Sequence, residues 1–69
     1  MIDLEIRRFG KALRAMREQL GLSQEGFADL VDLDRSYIGG IERGERNPTL
    51  RTILRISSAL NVEPSELFR

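Results

Sequence analysis

The residues with the clearest chemical potential are arginines, which are concentrated between Arg35 and Arg55. That segment holds five arginines and two glutamates, a net charge of +3, although the whole chain of 69 residues has 11 basic and 11 acidic side chains. All but one of the basic residues are arginine, whose planar guanidinium makes two-point contacts with phosphate and guanine. A neutral protein can present one basic face, so the segment indicates a nucleic-acid partner. A GC-rich genome would also favour arginine over lysine.

The residue types on which most enzymes and metal sites depend are missing. The chain has no histidine and no cysteine, so it lacks the usual general base, the commonest zinc ligand and any disulfide. Carboxylates and Tyr37 alone remain for acid–base chemistry, and so small a chain could hardly enclose a water-excluding pocket. We therefore expect no catalysis, metal, cofactor or small-molecule substrate. The short apolar runs likewise predict no membrane span and no signal peptide, which makes the cytoplasm the expected location.

Five short helices are predicted to position the arginine-rich segment. They begin near Asp3, Ser23, Asp34, Thr49 and Pro64. The first runs to about Leu20, because apolar residues recur there at spacings of three and four from Ile2 onward, with only Gly10 interrupting the face. The fourth is predicted to bury Leu50, Ile53, Leu54, Ser57 and Leu60. Since no strand, linker or repeat is evident, residues 1–69 are predicted to form a single all-α domain.

The second and third predicted helices are joined by a minimal turn. Ala28, a small residue, lies where the two helices must cross closely. This arrangement is typical of a helix-turn-helix over residues 23–43, in which the second helix lies in the major groove and the first crosses the DNA backbone. A helical hairpin without a nucleic-acid partner would show the same spacing.

The stretch GLSQEGFADLVDLDRSYIGGIERGERNPTL resembles the DNA-binding domain of the lambda-repressor/Cro, or XRE, family of bacterial and phage regulators. The similarity runs from about Phe9 to Val62, and its motifs LSQE, YI, IE-x-G and NP-x-L are specific in combination. It implies a compact five-helix domain that binds operator DNA as a symmetric dimer. Asp32 departs from the family, which most often has glycine in the turn, but aspartate tolerates the left-handed conformation better than most residues. The segment YIGGIERGERN is similar to the small controller proteins of restriction-modification systems.

The resemblance and the geometry of the motif imply two groups of DNA-contacting residues. The first turn of the recognition helix points at base edges; the predicted base-contacting residues are Arg35, Ser36, Gly39 and Gly40. The N-terminus of the second helix and the polar loop after the third suit the phosphate backbone; the predicted phosphate-contacting residues are Ser23, Gln24, Tyr37, Arg43, Arg46, Asn47 and Thr49. The alternatives are a plain helix cap for Ser23, packing for Tyr37, and solvation for any single polar side chain.

The two consecutive glycines need an explanation, because each costs a helix interior about 1 kcal/mol relative to alanine. By the family pattern, Gly40 lies where a longer side chain often contacts a base, with Gly39 beside it. The pair could let the helix backbone approach the groove, or make room for Arg35 and Arg43 to swing across. Alternatively, neighbouring packing offsets the cost and glycine is merely tolerated.

Two further sets of residues are expected to act away from DNA. The resemblance implies a partly buried ion pair between Arg17 and Glu42, linking the first helix to the end of the third; two independent surface charges are the alternative. Residues 60–69 are more apolar than so small a core requires. The predicted homodimer interface consists of Leu60, Val62, Leu67 and Phe68. Core closure is an equal alternative for all of these except Phe68.

These features together predict a cytoplasmic, bacterial or phage-encoded transcription regulator that binds a palindromic operator in double-stranded DNA as a homodimer. One alternative is the DNA-binding half of a larger repressor. Another, from a different class, is a helical protein-interaction module such as an antitoxin, which the zero net charge favours. Salt-dependent binding to random duplex DNA would distinguish DNA recognition from protein recognition.

Overall fold

The computed structural model describes residues 2–68, except for the side chain of Ile2, and shows an all-α fold. Its elements in chain order are α1 (Ile2–Gln19), α2 (Gln24–Val31), α3 (Arg35–Glu42), α4 (Leu50–Leu60) and a C-terminal 3-10 helix (Pro64–Phe68). The predicted fold class is confirmed. The fifth predicted helix differs in being a 3-10 helix, a type that proteins use in short pieces of this kind. Within residues 2–68 no helix is long and apolar enough to cross a membrane.

A single hydrophobic core contains side chains from every helix. Its buried members are Phe9, Leu13, Phe27, Ala28, Val31, Ile38, Ile41, Ile56 and Leu67. The apolar stripe of α1 is therefore confirmed at its centre, whereas Leu20 lies beyond the helix end and is exposed. The helix α3 packs against both α1 and α2, so it is held from two sides.

The helices α1 and α3 cross at Gly10, a residue that the hydrophobic pattern alone marks only as an interruption. Gly10 is buried. A Cβ atom on it would overlap the carbonyl oxygen of Ile41 and would lie 2.9 Å from the carbonyl oxygen of Glu42. The missing side chain thus lets the backbone of α1 approach the C-terminal end of α3 directly.

The turn between α2 and α3 is defined by local side-chain contacts. Ser23 Oγ accepts a hydrogen bond from the Gly26 N–H (3.0 Å) at the start of α2. The predicted left-handed conformation of Asp32 is confirmed, with φ 59° and ψ 49°. Asp34 then caps α3 by accepting a hydrogen bond from the Ser36 N–H (3.1 Å). These caps satisfy backbone groups that a helix end leaves without partners.

The helix α4 is rotated relative to the prediction. Leu50 and Leu54 were expected to be buried but are 69% and 46% exposed, whereas Ile56 is fully buried. Apolar residues occupy more than half of the circumference of α4, so their spacing does not define the direction of the core. The buried Ser57, by contrast, agrees with the prediction, and its hydroxyl donates to the carbonyl oxygen of Leu54 (3.1 Å).

The C-terminal 3-10 helix corrects one residue of the predicted dimer interface. Leu67 is fully buried, so it closes the core of the single chain and has no surface to offer a second copy. Its neighbour Phe68 is 62% exposed, and its ring packs against that of Phe9 with a centroid separation of 5.2 Å. The alternation arises because successive side chains of a short helix point in different directions.

Candidate nucleic-acid interface

The helix α3 is anchored along one side and open along the other. Ile38 and Ile41 are fully buried, whereas Arg35 and Ser36, in its first turn, are exposed. Side chains four residues apart lie on the same helix face, so Arg35 lies on the same side as Gly39 and Ser36 on the same side as Gly40. The helix therefore exposes the side chains of its first turn, whereas the two positions one turn further along the same side, Gly39 and Gly40, have no side chains and are buried.

The first turn of α3 is organised by Asp34. Its carboxylate accepts hydrogen bonds from both the hydroxyl and the backbone N–H of Ser36. These contacts, with the hydroxyl as the larger cause, lower the pKa of Asp34 below its usual value of 3.8. The Ser36 hydroxyl is thereby oriented towards the cap, and Arg35 is the longer side chain of the turn.

This cap predicts a specific dependence of stability on pH. Because the folded-state pKa of Asp34 is lowered, its carboxylate stabilises the fold above the unfolded value of 3.8, and this contribution is lost as pH falls through the lower folded value. We expect the Asp34→Asn variant, which keeps a capping oxygen but does not titrate, to be less stable than the wild type at pH 7. That difference should shrink at pH 3.

Urea unfolding of both proteins at the two pH values measures this change. The two proteins differ only at residue 34, so the contributions of all other groups cancel in the comparison. A stability difference that stays constant between pH 7 and pH 3 would contradict the assigned role of the carboxylate.

A buried ion pair connects α1 to the end of α3. Arg17 Nε donates to Glu42 Oε2 (2.7 Å) and Arg17 Nη2 donates to Glu42 Oε1 (3.1 Å), while Arg17 Nη1 donates to the carbonyl oxygen of Leu22 (2.8 Å). The two charged side chains are only 12% and 3% exposed. The hydrogen bonds to Glu42 raise the pKa of Arg17, against the opposing effect of burial. Two-point geometry of this kind fixes both distance and orientation.

Gln24, at the start of α2, belongs to the same network. Its amide nitrogen donates to Glu42 Oε1 (3.0 Å), so the residue braces α3 as well as lying at a helix N-terminus. Its amide oxygen faces Gly39, since it lies 3.3 Å from the position that a Cβ atom there would occupy. The network thus links the first helix, the turn after it and the last turn of α3.

Two arginine side chains cover the bare positions of α3. Arg43 Nη1 lies 3.0 Å from the position of a Cβ atom on Gly39, and Arg46 Cγ lies 2.6 Å from that of a Cβ atom on Gly40. Arg46 also places its guanidinium carbon 5.7 Å from the centre of the half-buried Tyr37 ring, a cation–π geometry. Both arginines are exposed, and Arg43 shares the space over Gly39 with the amide oxygen of Gln24.

The predicted base contacts of Gly39 and Gly40 would require both glycines to be accessible to DNA. In the free chain Gly39 and Gly40 are buried, because the side chains of Gln24, Arg43 and Arg46 lie over them. Of the two functions considered for the pair, making room for side chains describes the arrangement, although Arg46 rather than Arg35 is the second arginine that uses the space.

The loop after α3 places its polar side chains at the surface. Asn47 and Thr49 are exposed. The Thr49 hydroxyl caps α4 by accepting a hydrogen bond from the Thr52 N–H (3.2 Å). Ser23 is occupied in the same way at the start of α2, so these two hydroxyls have structural partners in the free chain.

The remaining predicted interface residues form only part of the exposed apolar surface. Leu60 and Val62 are half-buried, Phe68 is exposed, and Arg69 lies outside the described residues. Leu50 and Leu54, which were predicted to be buried, instead project from α4 one turn apart and add to this surface exposure. Their spacing of four residues was visible in the sequence, but nothing there distinguished an outward-facing pair from an inward-facing one.

Comparison with known proteins places this architecture in a family. The profile of the HTH_3 family, described as helix-turn-helix, matches residues 13–67. Control protein C.MunI from a Mycoplasma species is 48% identical over 69 residues, which are 99% of this chain and 92% of that protein. Control protein C.BamHI from Bacillus amyloliquefaciens is 47% identical over 60 residues, which are 86% of this chain and 74% of that protein.

A solved structure shows the same fold at high sequence identity. The restriction-modification controller protein C.AhdI from Aeromonas hydrophila matches with a TM-score of 0.88 and 52% identity, over 94% of this chain and 98% of that one. The resemblance based on sequence motifs is thereby confirmed. The chain belongs to the HTH_3 (XRE-type) helix-turn-helix family of DNA-binding transcription regulators.

Proposed function

We propose that this protein regulates transcription by binding a palindromic operator as a homodimer, with α3 as the helix that enters the major groove. The observation that supports this most directly is the shared exposure of Arg35 and Ser36 at the leading end of α3 and of Arg43 and Arg46 at its far end. A groove-binding helix needs base-reading groups at its start and phosphate-binding groups at its flanks. The similarity to restriction-modification controller proteins supports a controller role in the cytoplasm of a bacterial cell.

Within this proposal, the length and charge of each side chain decide whether it contacts a base or a phosphate. Arg35 reads guanine through two-point hydrogen bonds, and Ser36 lies beside it. The phosphate backbone is contacted by Ser23, Gln24, Tyr37, Arg43, Arg46, Asn47 and Thr49. The guanidinium groups among them supply most of the salt-dependent attraction to DNA.

The size of the module supports the proposed homodimer. One recognition helix covers a half-site, and two related by a twofold axis read half-sites about 34 Å apart. Exposed Phe68, with half-buried Leu60 and Val62, provides apolar surface towards the C-terminal end for a second copy. Leu50 and Leu54 are further exposed apolar residues, on α4.

Selection of binding sites from a random duplex pool, combined with analytical ultracentrifugation, tests this proposal. We expect a symmetric site, a 2:1 complex of protein to duplex, and affinity for random duplex that falls steeply with salt concentration. A helical protein-interaction module would enrich no sequence and would show no salt-dependent binding to duplex DNA.

Replacing Arg35 by alanine should weaken binding to the selected site by about 5- to 150-fold, corresponding to about 1–3 kcal/mol for a lost two-point base contact. Binding to random duplex should change little, because base contacts contribute nothing there. Fluorescence anisotropy with the two duplexes measures both effects. Arg14→Ala is the control, since Arg14 is an exposed arginine of α1 whose one ion pair within residues 2–68 is with Glu18. Equal losses on both duplexes would assign Arg35 to phosphate rather than base contact.

A further inference from the structure

Arg46 is an exposed loop residue, but both its backbone and its side chain contact α3. Its backbone N–H donates to the carbonyl oxygen of Gly40 (3.2 Å), so the chain turns back over the end of α3. Its Cγ, Nε and Cδ atoms then lie 2.6, 3.5 and 3.6 Å from the position of a Cβ atom on Gly40. The Arg46 side chain therefore runs along the surface of α3 over Gly40, and a methyl group on residue 40 would displace it.

The far end of the same side chain also has a partner. The guanidinium carbon lies 5.7 Å from the centre of the Tyr37 ring, three residues before Gly40 on α3. A cation over an aromatic face gains about 0.5–1 kcal/mol at exposed sites, which is enough to bias a flexible side chain but not to fix it. Contact along the stem and contact at the tip together restrict Arg46 to one side of α3.

From this geometry we infer that Gly40 is a positioning residue. The space left by its missing side chain, here called the seat, holds the stem of Arg46 and so orders its guanidinium over Tyr37 for contact with DNA. The inference rests on the proposed DNA-binding function and assigns Gly40 an indirect part in it. Ordering one long side chain before binding removes an entropic penalty that otherwise weakens affinity by about two- to tenfold. Gly39 has a parallel relation to Arg43, whose Nη1 lies 3.0 Å from its Cβ position.

A measurement without DNA tests the seat itself. The 15N heteronuclear NOE of the Arg46 Nε–H group should indicate an ordered side chain in the wild type and a mobile one in Gly40→Ala. Gly26→Ala is the matched control, because a Cβ atom there would touch only Ser23 and Leu22, at 3.4 Å or more. An unchanged NOE in Gly40→Ala would overturn the inference.

A double-mutant cycle tests the functional consequence, with the duplex selected by the wild-type protein as probe. Gly40→Ala should weaken binding by about two- to tenfold, and adding it to Arg46→Ala should cause no further loss, because the seat then has nothing to hold. If Gly40→Ala weakens the Arg46→Ala variant by the same factor, Gly40 acts by close approach to DNA and the inference is wrong. Absence of duplex binding by the wild type would instead contradict the proposed function, while the NOE would still decide whether the seat exists.

Discussion

Replacing Glu42 by alanine is expected to lower the free energy of unfolding by about 3–5 kcal/mol, the usual loss when one partner of a buried ion pair is removed. The Glu42 side chain is 3% exposed and accepts hydrogen bonds from Arg17 and Gln24. Without it, the Arg17 side chain, which is 12% exposed in the intact protein, loses the carboxylate that accepts its hydrogen bonds. Since a domain of this size has a total stability of only about 3–10 kcal/mol, this loss is a large part of the total.

Urea and thermal unfolding followed by circular dichroism measure this loss. Glu42→Gln should lose less than Glu42→Ala, because the amide keeps the volume and a hydrogen-bond acceptor for Arg17. The matched control is Glu18→Ala, which breaks the Arg14–Glu18 pair, whose side chains are 63% and 56% exposed. An exposed pair of this type contributes at most about 1 kcal/mol. Similar losses from Glu42→Ala and Glu18→Ala would show that burial of the Arg17–Glu42 pair has no energetic consequence.

The second large effect is expected at Gly10. Alanine there gains about 1 kcal/mol in helix propensity, but its methyl group would overlap two backbone carbonyl oxygens at the end of α3. Overpacking commonly costs about 1–3 kcal/mol and sometimes more, and backbone atoms cannot rotate away as a side chain can. Separating α1 from α3 would also lengthen the Arg17–Glu42 pair, which connects the same two helices. We therefore expect a net loss of at least about 2 kcal/mol.

The comparison with Gly26→Ala makes this measurement decisive. Gly26 is also a helix residue, but a Cβ atom on it would make only ordinary contacts with Ser23 and Leu22. That variant should be unchanged or more stable by up to about 1 kcal/mol. If Gly10→Ala were as stable as Gly26→Ala, the close crossing of α1 and α3 would not be a constraint on this fold.

The candidate site could be predicted only to the extent that its parts are local. The exposure of Arg35 and Ser36 follows from their place just after a capping residue, ahead of the inward-facing Ile38. The burial of Gly39 and Gly40 was not predictable, because it depends on the side-chain conformations of three other residues, Gln24, Arg43 and Arg46. The path of a flexible side chain depends on its neighbours in space rather than on sequence spacing.

The sequence by itself determined which segments are helical and where they begin, since capping side chains and apolar periodicity act within a few residues. The left-handed turn at Asp32 was implied by the family resemblance instead. Only the tertiary structure decided which face of α4 is buried, that Leu67 belongs to the core rather than to the surface, and that Gly10 is a contact rather than an interruption. Those outcomes depend on how helices distant in the sequence pack together. A helix with apolar residues around much of its circumference has several similar ways to face a core, and close packing with its neighbours selects one.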